Sequence, residues 1–298
     1  MKLKNILLAI AAVSVMAFAS SSALAGIAAT KHNLGTGTGN NSTTNTGEIC
    51  VFCHTPHGAD TGAPVPLWNK KLTAATFTTY DQLGTSTLDA GILNVGSVSL
   101  ACLTCHDGTQ AIDNILNAPG SGGYDVTGGG VDGLKTADGW TWNVGGSLSS
   151  EGQFNAGEIV NLGTDLTNDH PISVQYGGGG ITAAGGTTID TDFVQPSRVG
   201  TLNRWYVDNK LTATPSIGSF DKWDFKLYTR TPGAGGDSFN NTATDAGTGA
   251  QPFVECGSCH DPHFETTTFL RMDGSATSTV GSEQSNTGSR VCLVCHNK

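Results

Sequence analysis

The chain has few basic residues and no long hydrophobic segment beyond its N terminus, and each of these shortages argues against one class of protein. It also has few methionines, which limits the candidate ligands in the chain. Its 15 Lys and Arg stand against 25 Asp and Glu, which gives a net charge of −10 at pH 7. Because binding to nucleic acid needs clustered basic side chains, we expect no nucleic-acid partner. No apolar run after residue 25 approaches the roughly 20 residues of a membrane-spanning helix, so we expect no membrane insertion.

The first 25 residues have the pattern of a secretory signal peptide. Lys2 and Lys4 precede an apolar run over 6–18, and a small-x-small site ends at Ala25. A charged head, a short apolar segment and such a site together predict export with cleavage after Ala25. An uncleaved anchor is the alternative.

Glycine is abundant, and regular hydrophobic periodicity is scarce. Gly accounts for 41 of 298 residues, about twice its usual share of roughly 7%. We expect only short elements, including one or two helical turns over 111–117 and a short strand over 222–229. Something other than aliphatic side chains then has to fill the interior, and large flat cofactors would do so.

All eight cysteines belong to four copies of one motif, in which a histidine directly follows two cysteines spaced three apart. The copies are Cys50/Cys53/His54, Cys102/Cys105/His106, Cys256/Cys259/His260 and Cys292/Cys295/His296. On one helical turn both cysteines face the same side, where they can form thioethers with one haem while the histidine ligates its iron. We therefore predict four covalently attached haem c groups. Four-cysteine zinc sites, disulfides and a redox-active cysteine pair are alternatives, but none explains the four histidines.

The remaining histidines equal the motifs in number. Methionine, the usual alternative sixth ligand, occurs after the predicted leader only at Met272. Four spare histidines for four irons predict bis-histidine, six-coordinate iron, with a plain surface histidine as the alternative reading of each. The predicted distal ligands are His32, His57, His170 and His263.

Two of the spare histidines follow a proximal histidine after only three residues. His57 follows His54, and His263 follows His260, each directly behind a proline. An extended chain spans at most about 3.5 Å per residue. A link of three residues therefore cannot carry the second histidine to the opposite face of the same haem. We therefore expect His57 to serve the second haem and His263 the fourth, with simple turn residues as the alternative.

The motifs form two groups with a long insert between them. We predict one tetrahaem domain over 26–298 after the signal peptide of 1–25. Haems I and II lie in 26–110 and haems III and IV in 251–298, and a loop-rich insert covers 111–250.

Six short segments carry a resemblance to a known family. They are KHNL at 31–34, EICVFCHTPHGA at 48–59, LTCHDGT at 103–109, NDHPIS at 168–173, ECGSCHDPH at 255–263 and CLVCHNK at 292–298. In motif order and number the chain resembles the doubled-motif multihaem cytochromes c of metal-reducing bacteria, including extracellular tetrahaem forms that polymerise into conducting filaments. The resemblance is weakest over 110–165 and 177–250.

The resemblance implies a fold, an assembly and a function. The fold would be a multihaem cytochrome c, mostly loop or coil with short helices and little β structure, wrapped around a row of four haems. Subunits would join head to tail into a homopolymer, with one distal histidine crossing to the neighbouring subunit. We predict that His32, near the start of the mature chain, ligates a C-terminal-group haem of the next protomer, with ligation inside its own chain as the alternative.

The leading functional prediction is an electron carrier rather than an enzyme. It would conduct electrons along stacked haems, between redox proteins of the cell envelope and extracellular electron acceptors, at the outer cell surface or outside it. The alternatives are a soluble periplasmic tetrahaem shuttle and a multihaem reductase of a small nitrogen or sulfur compound. A reductase needs an iron with an open position, which eight ligating histidines would not leave.

Overall fold

The computed structural model describes residues 26–35, 41–121, 123–125, 141–143, 147–149, 152–181, 186–199, 204–209, 220, 223–233, 249–264, 268–271 and 290–297. All eight cysteines and all eight histidines lie in these ranges. The predicted signal peptide lies outside them. Within them, no helix combines the length and the apolar character that crossing a membrane requires.

Antiparallel β structure forms the centre of the molecule. The strands are β1 (Ser42–Thr43), β2 (Trp142–Asn143), β3 (Val174–Gln175), β4 (Ser197–Arg198), β5 (Trp205–Val207), β6 (Phe225–Arg230) and β7 (Gln251–Val254). β1 pairs with β2, and the other five form one sheet in the order β3-β7-β6-β5-β4. The two longest strands of that sheet, β6 and β7, are neighbours in it.

Aromatic and branched side chains explain why the central strands form. β5 reads Trp-Tyr-Val and is buried along its whole length, and its neighbour β6 buries Phe225 and Leu227. In the register, Trp205 faces Leu227 and Val207 faces Phe225. Such cross-strand apolar pairs are the main stabilising unit of an antiparallel sheet.

The larger apolar core lies against this sheet and includes residues from distant parts of the chain. Ile92 comes from before the second motif, and Val294 comes from inside the fourth. Its other buried members are Val174, Tyr176, Ile181, Trp205, Val207, Phe225, Leu227 and Val254. The sheet therefore packs against segments of both motif groups.

Each helical element that carries a motif is short. The first motif begins in a 3₁₀ turn, Cys50–Phe52, and the second ends α1 (Ser97–His106). The third lies on α2 (Cys256–Cys259) and the fourth on α3 (Arg290–Cys295). Further 3₁₀ turns cover Gly26–Ala29, Tyr80–Leu83, Pro119–Ser121 and Tyr176–Gly178.

The predicted fold, mostly loop with little β structure and wrapped around a row of four haems, is wrong. In the described ranges, seven strands in two sheets hold about as many residues as the three α-helices. No group of three or more His, Cys, Asp or Glu side chains in those ranges could hold a metal ion. The strand expected near 222–229 is confirmed as β6, whereas 111–117 forms no helix.

The sheet escaped prediction for a physical reason. Its strands are two to six residues long, too short for hydrophobic alternation to stand out from the Gly- and Thr-rich sequence around them. Their partners are also distant, as Val174 pairs with Val254, 80 positions further along the chain. Burial against residues far along the chain, rather than local propensity, makes these segments strands.

Candidate functional site

The four motifs share a local backbone geometry. In three of them the N–H of the histidine donates to the carbonyl of the first cysteine, at 2.8 Å for His54, 3.0 Å for His260 and 2.9 Å for His296. The second motif forms the last turn and a half of α1. The predicted helical turn is therefore confirmed in all four motifs, and it brings each cysteine pair to one side.

The cysteines are not committed to another structural role. All eight are free thiols. Burial raises the pKa of Cys53, Cys259 and Cys295 to about 12, with neighbouring cysteines adding to the effect. Protonated thiols of this kind lack the thiolate character that redox-active cysteine pairs require. The raised pKa values disfavour thiol redox chemistry at these three cysteines, and in the described ranges no group of three or more side chains suits a zinc ion.

Backbone carbonyls orient three of the four motif histidines. Nδ1 of His54 lies 2.8 Å from the carbonyl oxygen of Pro66, Nδ1 of His106 lies 2.8 Å from that of Val160, and Nδ1 of His260 lies 2.9 Å from that of Thr268. A carbonyl only accepts, so Nδ1 carries the proton and Nε2 keeps a free lone pair. This tautomer and this outer hydrogen bond are typical of histidines that ligate a metal through Nε2. The motif histidines therefore fit iron ligation.

A second backbone segment runs antiparallel past three of these histidines. At the first motif, the N–H of Thr55 donates to Leu67 and the N–H of Asn69 donates to Cys53, at 2.8 and 2.9 Å. The isolated bridges join His54 with Trp68, His260 with Leu270 and His296 with Phe193. The backbone of His54, His260 and His296 is thus paired with a second segment, and Nδ1 contacts further orient the rings of His54 and His260.

Two predicted distal histidines lie opposite a motif histidine at a distance that suits a shared metal. The ring centroids of His54 and His263 are 6.2 Å apart, and so are those of His32 and His106. A metal bound by two imidazoles at about 2 Å from each nitrogen separates their centroids by roughly 6 Å. The interplanar angles of the two pairs are 15° and 73°.

Electrostatics keep the buried members of these pairs in the ligating form. Burial, together with repulsion from His106, lowers the pKa of His32 to about 4. The pKa of His106 is likewise lowered, first by burial. Both imidazoles are therefore neutral at pH 7, as metal binding requires.

The other two spare histidines differ in their surroundings. Loss of solvent around the ring lowers the pKa of His170, and repulsion from nearby His296 of the fourth motif lowers it too. Nδ1 of His170 lies 3.0 Å from the Pro171 carbonyl, so its Nε2 is also free. His57 is exposed, and in the described part of the chain its ring pairs with no other histidine. His32 thus lies beside the second motif of its own chain, and His263 beside the first motif rather than the fourth.

The second and third motifs touch although 154 positions separate Cys102 from Cys256. The thiols of these two cysteines are within hydrogen-bond distance, and the N–H of Cys256 donates to Ser99 Oγ at 2.9 Å. Gly257 permits the contact, because a Cβ there would lie 2.9 Å from Val98 Cγ2. Helices α1 and α2 therefore bring two predicted attachment sites together.

Sequence reasoning missed the residues that orient the motif histidines. Pro66, Val160 and Thr268 act through main-chain carbonyls, which every residue possesses, so no sequence signal distinguishes them. Comparison with known proteins does not identify such residues either. No protein-family model and no curated protein sequence matches this chain. Its function therefore has to be inferred from the residues and their geometry.

Proposed function

We propose that the chain is an exported tetrahaem cytochrome c that carries electrons. One haem c would be attached to each cysteine pair through thioethers and ligated by the histidine of the same motif. The observation that carries the proposal is the motif geometry, with each cysteine pair on a helical turn and three histidines presenting Nε2. The bound haems supply one-electron redox chemistry. The chain's residues fix the direction of the ligating histidines through hydrogen bonds to Nδ1.

The spare histidines support six-coordinate iron. His263 suits the first motif and His32 the second, each at a 6.2 Å ring separation, and His170 is the spare histidine next to His296. An iron with two protein ligands has no position for a substrate, which favours an electron carrier over a reductase. Its partners would be redox proteins of the cell envelope and extracellular acceptors.

We further propose head-to-tail assembly into a homopolymer outside the cell. His57 and His260 are both exposed, and within the described residues neither belongs to a histidine ring pair. If His57 of one protomer completes the third motif of the next, two different surfaces meet, and such a contact propagates instead of closing. In the described residues no second histidine ring is paired with His260, and this observation favours a reductase, which would need an open iron position, as the second candidate.

The experiment combines electron microscopy with the spin state of the oxidised iron. For the secreted wild type we expect fibres with four low-spin haems. His57→Ala should give dispersed particles with one high-spin haem in four, while His32→Ala should keep the fibres and also make one haem high-spin. Leu83→Ala, a change at another exposed side chain, serves as the control and should behave as wild type.

Each alternative has its own outcome in the same experiment. Dispersed wild-type particles with four low-spin haems would identify a soluble shuttle. One high-spin haem in wild type would identify a reductase. Fibres that persist in His57→Ala but vanish in His32→Ala would assign the crossing ligand to His32.

A further inference from the structure

Asp261 gives His263 a hydrogen-bond partner unlike those of the other histidines. Nδ1 of His263 lies 3.0 Å from Asp261 Oδ1, a carboxylate oxygen, and the N–H of His263 donates to the same oxygen at 3.1 Å. Among the described histidines whose Nδ1 has a hydrogen-bond partner, the others face neutral main-chain carbonyls. These are His54, His106, His170 and His260.

The carboxylate is fixed in place by an ion pair and by main-chain hydrogen bonds on both sides of it. Arg271 Nη2 lies 3.0 Å from Asp261 Oδ2, with only 3% of the Arg271 side chain exposed. The N–H of Asp261 donates to Phe269, and that of Arg271 to Cys259, both at 2.8 Å.

We propose that Asp261 is a positioning residue that lowers the reduction potential of the haem on the first motif. The inference rests on the proposed function. A carboxylate on Nδ1 increases the basicity of an imidazole ligand more than a carbonyl does. A more basic axial ligand stabilises oxidised iron and lowers its potential.

The geometry assigns the effect to one haem. His263 lies 6.2 Å from His54, so the iron it would ligate is that of Cys50 and Cys53, although Asp261 directly follows the third motif. Arg271 opposes the effect, because its positive charge withdraws electron density from the carboxylate. Loss of Asp261 and loss of Arg271 should therefore shift this potential in opposite directions.

The test is a spectroelectrochemical titration of the full-length, haem-loaded protein. Asp261→Asn keeps the shape of the side chain but removes its charge, and should raise one of four potentials by about 59 mV, which equals a tenfold change in the reduction equilibrium. Arg271→Gln should lower the same potential. His263→Met identifies the haem concerned, since a methionine ligand raises its potential independently of Asp261.

Asp60→Asn is the matched control. Asp60 also pairs with a basic side chain, Lys71 at 3.6 Å, and is near the first motif in sequence, but it bonds to no histidine ring in the described structure. It should leave the four potentials close to wild type. Unchanged potentials in Asp261→Asn, or an equal shift in Asp60→Asn, would overturn the inference. If Asp261→Asn does not fold, the Arg271→Gln variant tests the inference instead. A lower potential in Arg271→Gln supports the inference, and a higher one contradicts it.

A protein without covalent haem would refute the proposed function itself.

Discussion

The sheet and the motif segments are stabilised by different kinds of contact. In the sheet, buried apolar side chains such as Trp205, Val207 and Phe225 pack against one another. In the motif segments, main-chain bonds and a few buried polar groups hold irregular backbone around histidines. The two regions therefore differ in role, because apolar packing stabilises the sheet while polar contacts orient the motif histidines.

The sheet positions three of the four motifs. β7 ends at Val254, two residues before the third motif begins at Cys256. Val294 of the fourth motif belongs to the core on the sheet, and Ile92, a few residues before α1, forms a bridge with Val174 of β3. The insert between the motif groups is therefore the part of the chain that brings them together.

The largest expected effect is in the sheet. Phe225→Ala should lower the free energy of unfolding by about 3–5 kcal/mol, because Phe225 is 1% exposed and its loss leaves a cavity. Denaturant unfolding measures the change. Ile159→Ala, at a position 93% exposed, should stay within about 0.5 kcal/mol of wild type. Similar values for the two variants would contradict a packed sheet.

A smaller effect is expected where the sheet meets the motifs. Glu255 accepts hydrogen bonds from Ser99 and lies 3.2 Å from Arg230, and burial raises its pKa from 4.5 to about 7. The folded state then holds the proton more tightly than the unfolded state does. The resulting stabilisation is complete below pH 4.5 and is lost as the pH rises through about 7.

Unfolding at several pH values tests this titration. Between pH 4.5 and pH 8, wild type should lose about 3 kcal/mol of stability relative to Glu255→Gln, from the difference between the two pKa values. Glu48→Gln, at an exposed position, is the control and should follow wild type at every pH. If the stability of wild type and of Glu255→Gln changed with pH in the same way, a raised pKa of Glu255 in the folded state would be excluded.

The smallest of the three effects is expected within the motif region. Nζ of Lys70, a residue only 1% exposed, donates to the carbonyls of Ala111, Ile112 and Asn114. Lys70→Met leaves these acceptors unpaired and should cost about 1–3 kcal/mol in unfolding free energy. Lys71→Met removes a half-exposed pair with Asp60 and should cost less than about 1 kcal/mol. An equal loss of stability in Lys70→Met and Lys71→Met would contradict a stabilising role for the hydrogen bonds of Lys70.

Local patterns predicted the local features. The cysteine spacing predicted four helical turns, and the short strand expected over 222–229 corresponds to β6 at Phe225–Arg230. Pairing across long separations had no such signal, so the β3–β7 ladder, the contact between Cys102 and Cys256, and the position of His263 beside His54 were not foreseen. Predicted site residues nevertheless lie close to one another in four places, at His54 and His263, His32 and His106, His170 and His296, and Cys102 and Cys256.

Intact mass spectrometry of the secreted chain, with a count of its free thiols, tests the central claim most directly. The account predicts a polypeptide carrying the mass of four haem groups and no free thiol among its eight cysteines. A bare polypeptide mass with eight reactive thiols would contradict it.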